Sequence, residues 1–209
     1  MTDAKNITAL LLKRYPNPKL ALQHSNPLDL LIAVILSAQC TDARVNEVTK
    51  TLFKKYRTAQ DYANAKVDMF EQEIRPTGFY KNKAKNVIAC CEKLVSDFAG
   101  KVPKSVEELT TLPGVGRKTA NMVLGNTYGA QAIAVDTHVL RVSNRLGLAL
   151  AKDPDKVEAE LLKQVPADRL TAFSNAMILH GRETCTARAP RCLECVLYDE
   201  CAWPQKLRR

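Results

Sequence analysis

Three groupings of residues in the 209-residue chain could do chemistry, and each names a different kind. The first is Leu112-Pro113-Gly114-Val115-Gly116-Arg117-Lys118-Thr119-Ala120, a glycine-bearing turn between two short helical stretches, with a lysine just past it. Glycines let the main chain approach a surface closely, and the N–H groups opening the next helix form an anion site that suits a DNA phosphate. Gly114, Val115, Gly116 and Arg117 are therefore candidate DNA contacts, although the same spacing also fits a plain tight turn between helices. Lys118 falls in the first turn of the second helix, where a cation opposes the macrodipole. That place is poor for a purely structural lysine and useful for a nucleophilic amine, provided its ammonium form is destabilised. Arg117 and the helix terminus push that way; bound phosphates and a nearby carboxylate push the other.

The second grouping, Val135-Asp136-Thr137-His138-Val139, puts a carboxylate at an apparent helix start. Asp136 reads first as an N-cap. Near an amine nucleophile it could also stabilise positive charge developing at a sugar carbon, or relay protons, and the two roles are compatible. His138 reads mainly as structural, with a phosphate contact as the alternative.

The third is C-x6-C-x2-C-x5-C, formed by Cys185, Cys192, Cys195 and Cys201. Four thiolates on a short loop hold either tetrahedral zinc or an iron–sulfur cluster, and spacing does not separate the two. Arg188 and Arg191 lie inside the loop, and a metal centre ordering it would present them as fixed cations to a phosphate backbone. The remaining cysteines, Cys40, Cys90 and Cys91, are scattered through helical-looking sequence. With seven in all, metal ligands and buried thiols are a better reading than a disulfide frame.

These residues must be positioned by helices. Alternating strand patterns are nearly absent. Asn26, Pro27 and Asp29 give a cap, a first-position proline and a favourable charge ahead of the apolar run Leu30 to Leu36, a helix apolar all round that belongs at the centre of a domain. Further helices are expected at about 44–56, 59–64, 67–75 and 80–98, the last ended by Gly100 and Pro103. Ser105 and Glu108 read as a capping box opening a helix to Leu112. Others are expected from Arg117 to about Tyr128, with Gly129 as C-cap, from Asp136 or Thr137, from Asp153-Pro154, and over about 168–181. The fold class is all-α.

Composition narrows the partner. Lys and Arg total 31 against 22 Asp and Glu, a formal charge of +9, which favours a polyanion. The longest apolar run is far short of the roughly 20 residues a bilayer needs, and no secretory signal is visible, so no membrane association is expected and a reducing, cytoplasmic setting is.

With Leu36-Ser37-Ala38-Gln39 and Leu179-His180-Gly181-Arg182, the three groupings resemble the endonuclease III family of helix-hairpin-helix DNA glycosylases over essentially the whole chain. The resemblance implies two helical lobes: a six-helix barrel carrying the hairpin at about 20–130, and a cluster lobe formed by 1–19 with 131–209, with DNA bound across the cleft between them. It implies a [4Fe–4S] cluster on the four cysteines, serving to order a DNA-binding loop. It further implies a monomer that removes oxidised pyrimidines from double-stranded DNA and cleaves 3′ to abasic sites by β-elimination, with Lys118 attacking C1′ of an extruded nucleotide and Asp136 assisting. Localisation would follow the nucleoid.

Gln39 corresponds to the family's residue that fills the space left by the extruded nucleotide, and Phe79 stands where relatives often carry leucine as a second wedge. An aromatic ring there can stack on a base. Tyr80, Lys81 and Lys83 read most simply as an exposed basic helix face, and Cys40 as a small buried residue. A mismatch-specific adenine or thymine glycosylase is disfavoured by Lys118. A non-catalytic DNA-binding protein is disfavoured by the presence of both Lys118 and Asp136.

Overall fold

A computed structural model describes residues 3–207. Among them are eleven α-helices and no strand: α1 (Ala4–Arg14), α2 (Pro27–Leu36), α3 (Asp42–Lys55), α4 (Ala59–Ala63), α5 (Val67–Ile74), α6 (Tyr80–Phe98), α7 (Val106–Leu109), α8 (Arg117–Thr127), α9 (Thr137–Leu146), α10 (Pro154–Leu162) and α11 (Leu170–Glu183), with 3-10 turns at Arg75–Thr77 and Cys192–Glu194. None of the described helices is long and apolar enough to cross a membrane.

Helix starts follow local cap chemistry. Asn26 accepts from Asp29 N at 2.9 Å with Pro27 in the first turn, and Asp153 accepts from Lys156 N at 3.1 Å with Pro154 behind it. Such caps contribute about 1 kcal/mol each. The box expected at Ser105 is only half made. Its Oγ accepts from Glu108 N but donates to Glu108 Oε2 at 2.8 Å, so Glu108 does not reach back to the main chain. A reciprocal box sits instead at α4, where Thr58 caps Asp61 N and the Asp61 carboxylate accepts from Arg57 N and Thr58 N. Those main-chain donors hold Asp61 below the usual carboxylate range.

The chain divides into two compact units, Leu20–Gly129 and Met1–Lys19 with Ala130–Arg209. In the first, α2 is the centre: Leu28 to Leu36 are all buried, with α3, α6 and α8 around them. Burying each Leu or Ile there contributes about 1.5–3 kcal/mol. The long α6 packs on α4 and α5, where Tyr56 stacks on Tyr62 at 4.9 Å and Phe70 meets Tyr56 edge-on at 5.5 Å. Cys90 and Cys91 are fully buried on α6, and burial pushes the Cys90 thiol up to about 12, so both are packing residues. Cys40 differs from expectation, being only half-buried, because it lies in the loop after α2 and not within the helix.

In the second unit α11 packs on α9 and α1, and α10 on α9, around Ile7, Leu11, Val139, Val142, Leu161 and Phe173, all fully buried. The polar residues of α11 fasten the extended run ahead of α9. Thr171 Oγ1 donates to Ala130 O at 2.8 Å, and Ser174 Oγ accepts from Ala134 N at 3.0 Å. This fixes the entry of the chain into Asp136.

Candidate functional site

The lysine-bearing hairpin lies in the unit Leu20–Gly129, between α7 and α8. Gly114 has φ +76°, and a Cβ there would meet Asn86 Cβ of α6 at 3.0 Å, so a fold requirement already explains this glycine. Gly116 has an ordinary extended backbone, and nothing lies within 4 Å of a Cβ built on it. The open face of the turn is therefore at Gly116. Val115 departs from the expected contact set: its side chain is buried and its N–H donates to Leu112 O at 3.1 Å, which closes the turn. No side chain caps α8, and Arg117 and Lys118 are exposed in its first turn. An uncapped helix start with two cations over it is an anion site with an amine at its edge.

Asp136 lies in the other unit and is the N-cap of α9. Its Oδ1 accepts from both His138 N and Val139 N at 2.8 Å. Oδ2 makes no hydrogen bond among the described residues, so one oxygen fixes the helix start and the other is free for chemistry. The cap reading and the catalytic reading thus occupy different atoms of one carboxylate.

His138 is held from two sides. Its Nδ1 is 3.2 Å from Arg141 Nη2, and its Cβ packs on Gly181 of α11. Burial, the largest influence, lowers its pKa below the ordinary imidazole value, against the opposing pull of Asp136. A Cβ on Gly181 would sit 2.8 Å from His138 Cβ and 3.2 Å from Arg141 Nη2. Gly181→Ala is therefore expected to cost about 1–3 kcal/mol through overpacking, read as a lowered Tm by calorimetry. An unchanged Tm would contradict the close approach of α9 and α11.

Two arginines the sequence did not single out brace the cysteine loop from α9. Arg141 donates to Gly181 O at 2.8 Å and to Cys185 O at 3.1 Å. Arg145 donates to Thr186 O at 2.8 Å and Ala187 O at 3.0 Å, approaches Cys185 Sγ at 3.3 Å, and stacks on Trp203 at 4.0 Å. The available signal was their i, i+4 spacing, which puts both on one helix face. Arg191 is also drawn into this bracing, contrary to its expected role as a cation held out to phosphate. Its guanidinium donates to Glu183 O and lies 3.6 Å from Glu194 Oε2. Arg188 is exposed.

Cys185, Cys192, Cys195 and Cys201 line one cavity together with Arg145, His180 and Trp203. Four soft donors around a shared cavity suit a polynuclear iron–sulfur group. N–H groups already face the sulfurs: Leu197 N is 3.4 Å and His180 Nε2 3.5 Å from Cys195 Sγ. Burial lowers His180 to about 4, so it is neutral at physiological pH, and its Nδ1 is buried without a partner. In its Nε2–H tautomer the ring can donate to a Cys195 thiolate. Burial pushes Cys195 up to about 11 and raises Cys201, and a bound metal centre would supply positive charge that favours their thiolates.

The two proposed wedge residues are in the unit Leu20–Gly129 with the hairpin. Gln39 is exposed with φ 51°, and Phe79 is 63% exposed with φ 47°. Only one other described non-glycine residue has positive φ, Ala99, which ends α6 in the common left-handed manner. Such backbone costs on the order of 1–3 kcal/mol, and here Gln39 and Phe79, which carry it, are both exposed. Lys81 is exposed as expected, but Lys83 is only 4% exposed, because it lies on the buried stripe of α6 with Val87, Cys91 and Leu94.

Residues 32–167 match the HhH-GPD superfamily of base excision DNA repair proteins, and residues 185–201 match the iron-sulfur binding domain of endonuclease III. The chain is 48% identical over 199 residues to endonuclease III of Synechocystis sp. (strain ATCC 27184 / PCC 6803 / Kazusa), covering 95% of this chain and 91% of that one. It is also similar to an endonuclease III in a non-covalent DNA complex, with a TM-score of 0.90 and 46% identity over 94% of this chain and 92% of the other. A trapped covalent endonuclease III–DNA intermediate gives a TM-score of 0.89 and 46% identity over 93% and 92%.

Proposed function

The chain belongs to the endonuclease III family of HhH-GPD base-excision repair proteins, and from that premise we propose which residues carry its chemistry and which lesions it takes. It is a DNA glycosylase and AP lyase; its macromolecular partner is DNA and its cofactor a [4Fe–4S] cluster. Its substrates are duplexes carrying oxidised pyrimidines or abasic sites, bound by a single subunit in the cytoplasm. The observation that carries the residue assignment is Lys118: an exposed amine at an uncapped helix start, in a chain similar to one that forms a covalent bond to DNA.

The chemistry starts with extrusion of the damaged nucleotide, because C1′ is out of reach while the base is stacked. Gln39 and Phe79 fill the gap in the duplex. The unprotonated Lys118 Nζ donates its electron pair to C1′, and the glycosidic pair leaves with the base, which takes up a proton. The sugar ring opens to an imine with Lys118. Loss of the C2′ proton then expels the 3′ phosphate by β-elimination, and water releases the lysine. Asp136 Oδ2 stabilises the developing positive charge and relays protons, while Oδ1 stays committed to α9. Gly116, Arg117 and the first-turn amides of α8 bind a phosphate. Cys185, Cys192, Cys195 and Cys201 hold the cluster, which ties residues 185–201 into one ordered loop and presents Arg188 to the backbone.

A panel of duplexes with single defined lesions, scored separately for base release and strand cleavage, tests this. Release of oxidised pyrimidines with β-elimination products is expected. Release of adenine or thymine from mismatches, with oxidised pyrimidines left intact, would overturn the lesion assignment.

A further inference from the structure

We propose that Lys83 is a positioning residue that clamps the turn presenting Phe79 and so sets how well the enzyme opens a duplex. The inference rests on Phe79 being a wedge.

Lys83 grips that turn from both ends. Its main-chain N–H donates to Phe79 O at 3.1 Å, and its ammonium donates to Thr77 O at 2.7 Å. Between these two carbonyls lie Gly78, with φ 70°, and Phe79, with φ 47°. The first turn of α6 has no side-chain cap, and the Lys83 ammonium ties the preceding turn to the helix through a different group, the Thr77 carbonyl. Thr77 is itself fixed, 2% exposed, with its hydroxyl donating to Ile74 O at 2.8 Å. The strained turn is therefore anchored on its inner side while the Phe79 ring stays out in solvent.

The choice of a lysine for this task runs against stability. The residue is 4% exposed, and among the described residues its ammonium pairs with no carboxylate and has one neutral acceptor. An apolar residue on the buried stripe of α6 would avoid the desolvation of that charge, and burial indeed lowers the pKa of the amine. Lys118 lies on α8, outside this turn.

The test compares Lys83→Met and Phe79→Ala with wild type on two substrates: a duplex with an oxidised pyrimidine, and a single-stranded oligonucleotide with a preformed abasic site, which needs no opening. A fluorescent base analogue opposite the lesion reports unstacking. Lys83→Met is expected to lower duplex base release by roughly 10-fold and the unstacking signal with it, leaving single-strand cleavage within about twofold and iron content unchanged; Lys83→Arg should recover most of the loss. Equal losses on both substrates would make Lys83 merely structural and overturn the inference. Unchanged Lys83→Met beside an impaired Phe79→Ala overturns it while leaving the wedge intact. An unimpaired Phe79→Ala removes the wedge reading and the inference together. Should Lys83→Met not fold, Lys83→Gln carries the same comparison.

Discussion

Lys118→Gln is expected to lower single-turnover base release from a damaged duplex by at least roughly 10³-fold and to abolish strand cleavage. The amide keeps the length and polarity of the side chain but has no electron pair able to displace a base and no nitrogen that can form an imine. Binding should survive, because the α8 amides and Arg117 remain; the loss of one cation weakens affinity and makes it slightly less salt-dependent. A variant that binds weakly but cleaves normally once bound would show Lys118 to be a phosphate contact. Slow base release without strand cleavage would instead leave Asp136 directing a water, consistent with an oxygen free of the α9 cap.

Cys192→Ser is expected to be the most damaging change outside the hairpin. Cys192 is 8% exposed and opens the 3-10 turn Cys192–Glu194. Structural metal centres contribute on the order of 10 kcal/mol to folding, comparable to the whole stability of a domain, about 5–15 kcal/mol. Loss of one ligand should therefore deplete iron and sulfide, release residues 185–201 from the bracing of Arg141 and Arg145, and lower soluble yield. DNA affinity should fall as Arg188 loses its fixed position. Wild-type protein that is colourless and holds stoichiometric zinc would contradict the iron–sulfur assignment, and a Cys192→Ser protein with full iron content would contradict this ligand set.

What could be read from the sequence follows the range of the forces involved. Caps at Asn26, Asp136 and Asp153 are local chemistry between residues two or three apart, so the letters announce them. The apolar run of α2 announces a central helix for the same reason. The box at Thr58 and Asp61 is masked in the sequence because aspartate takes the place of the usual glutamate at its third position. By residue type Lys83 reads with Tyr80 and Lys81 as part of an exposed basic helix face. Only its i+4 and i+8 partners, Val87 and Cys91, mark the buried stripe to which it belongs. Arg191 could not be placed from sequence, because its partner is the main-chain oxygen of Glu183, and main-chain acceptors leave no trace in residue type. The positive φ at Gln39 and Phe79 was equally silent, neither residue being a glycine or an asparagine.

The central claim is a bond between Lys118 Nζ and C1′. Borohydride reduction during turnover on an oxidised-pyrimidine duplex, followed by proteolysis and mass spectrometry of the cross-linked peptide, locates that bond directly. The deoxyribose remnant should map to Lys118 in the segment Gly116 to Ala120. A remnant on any other residue, or base release with no trapped adduct under conditions of full turnover, would contradict it.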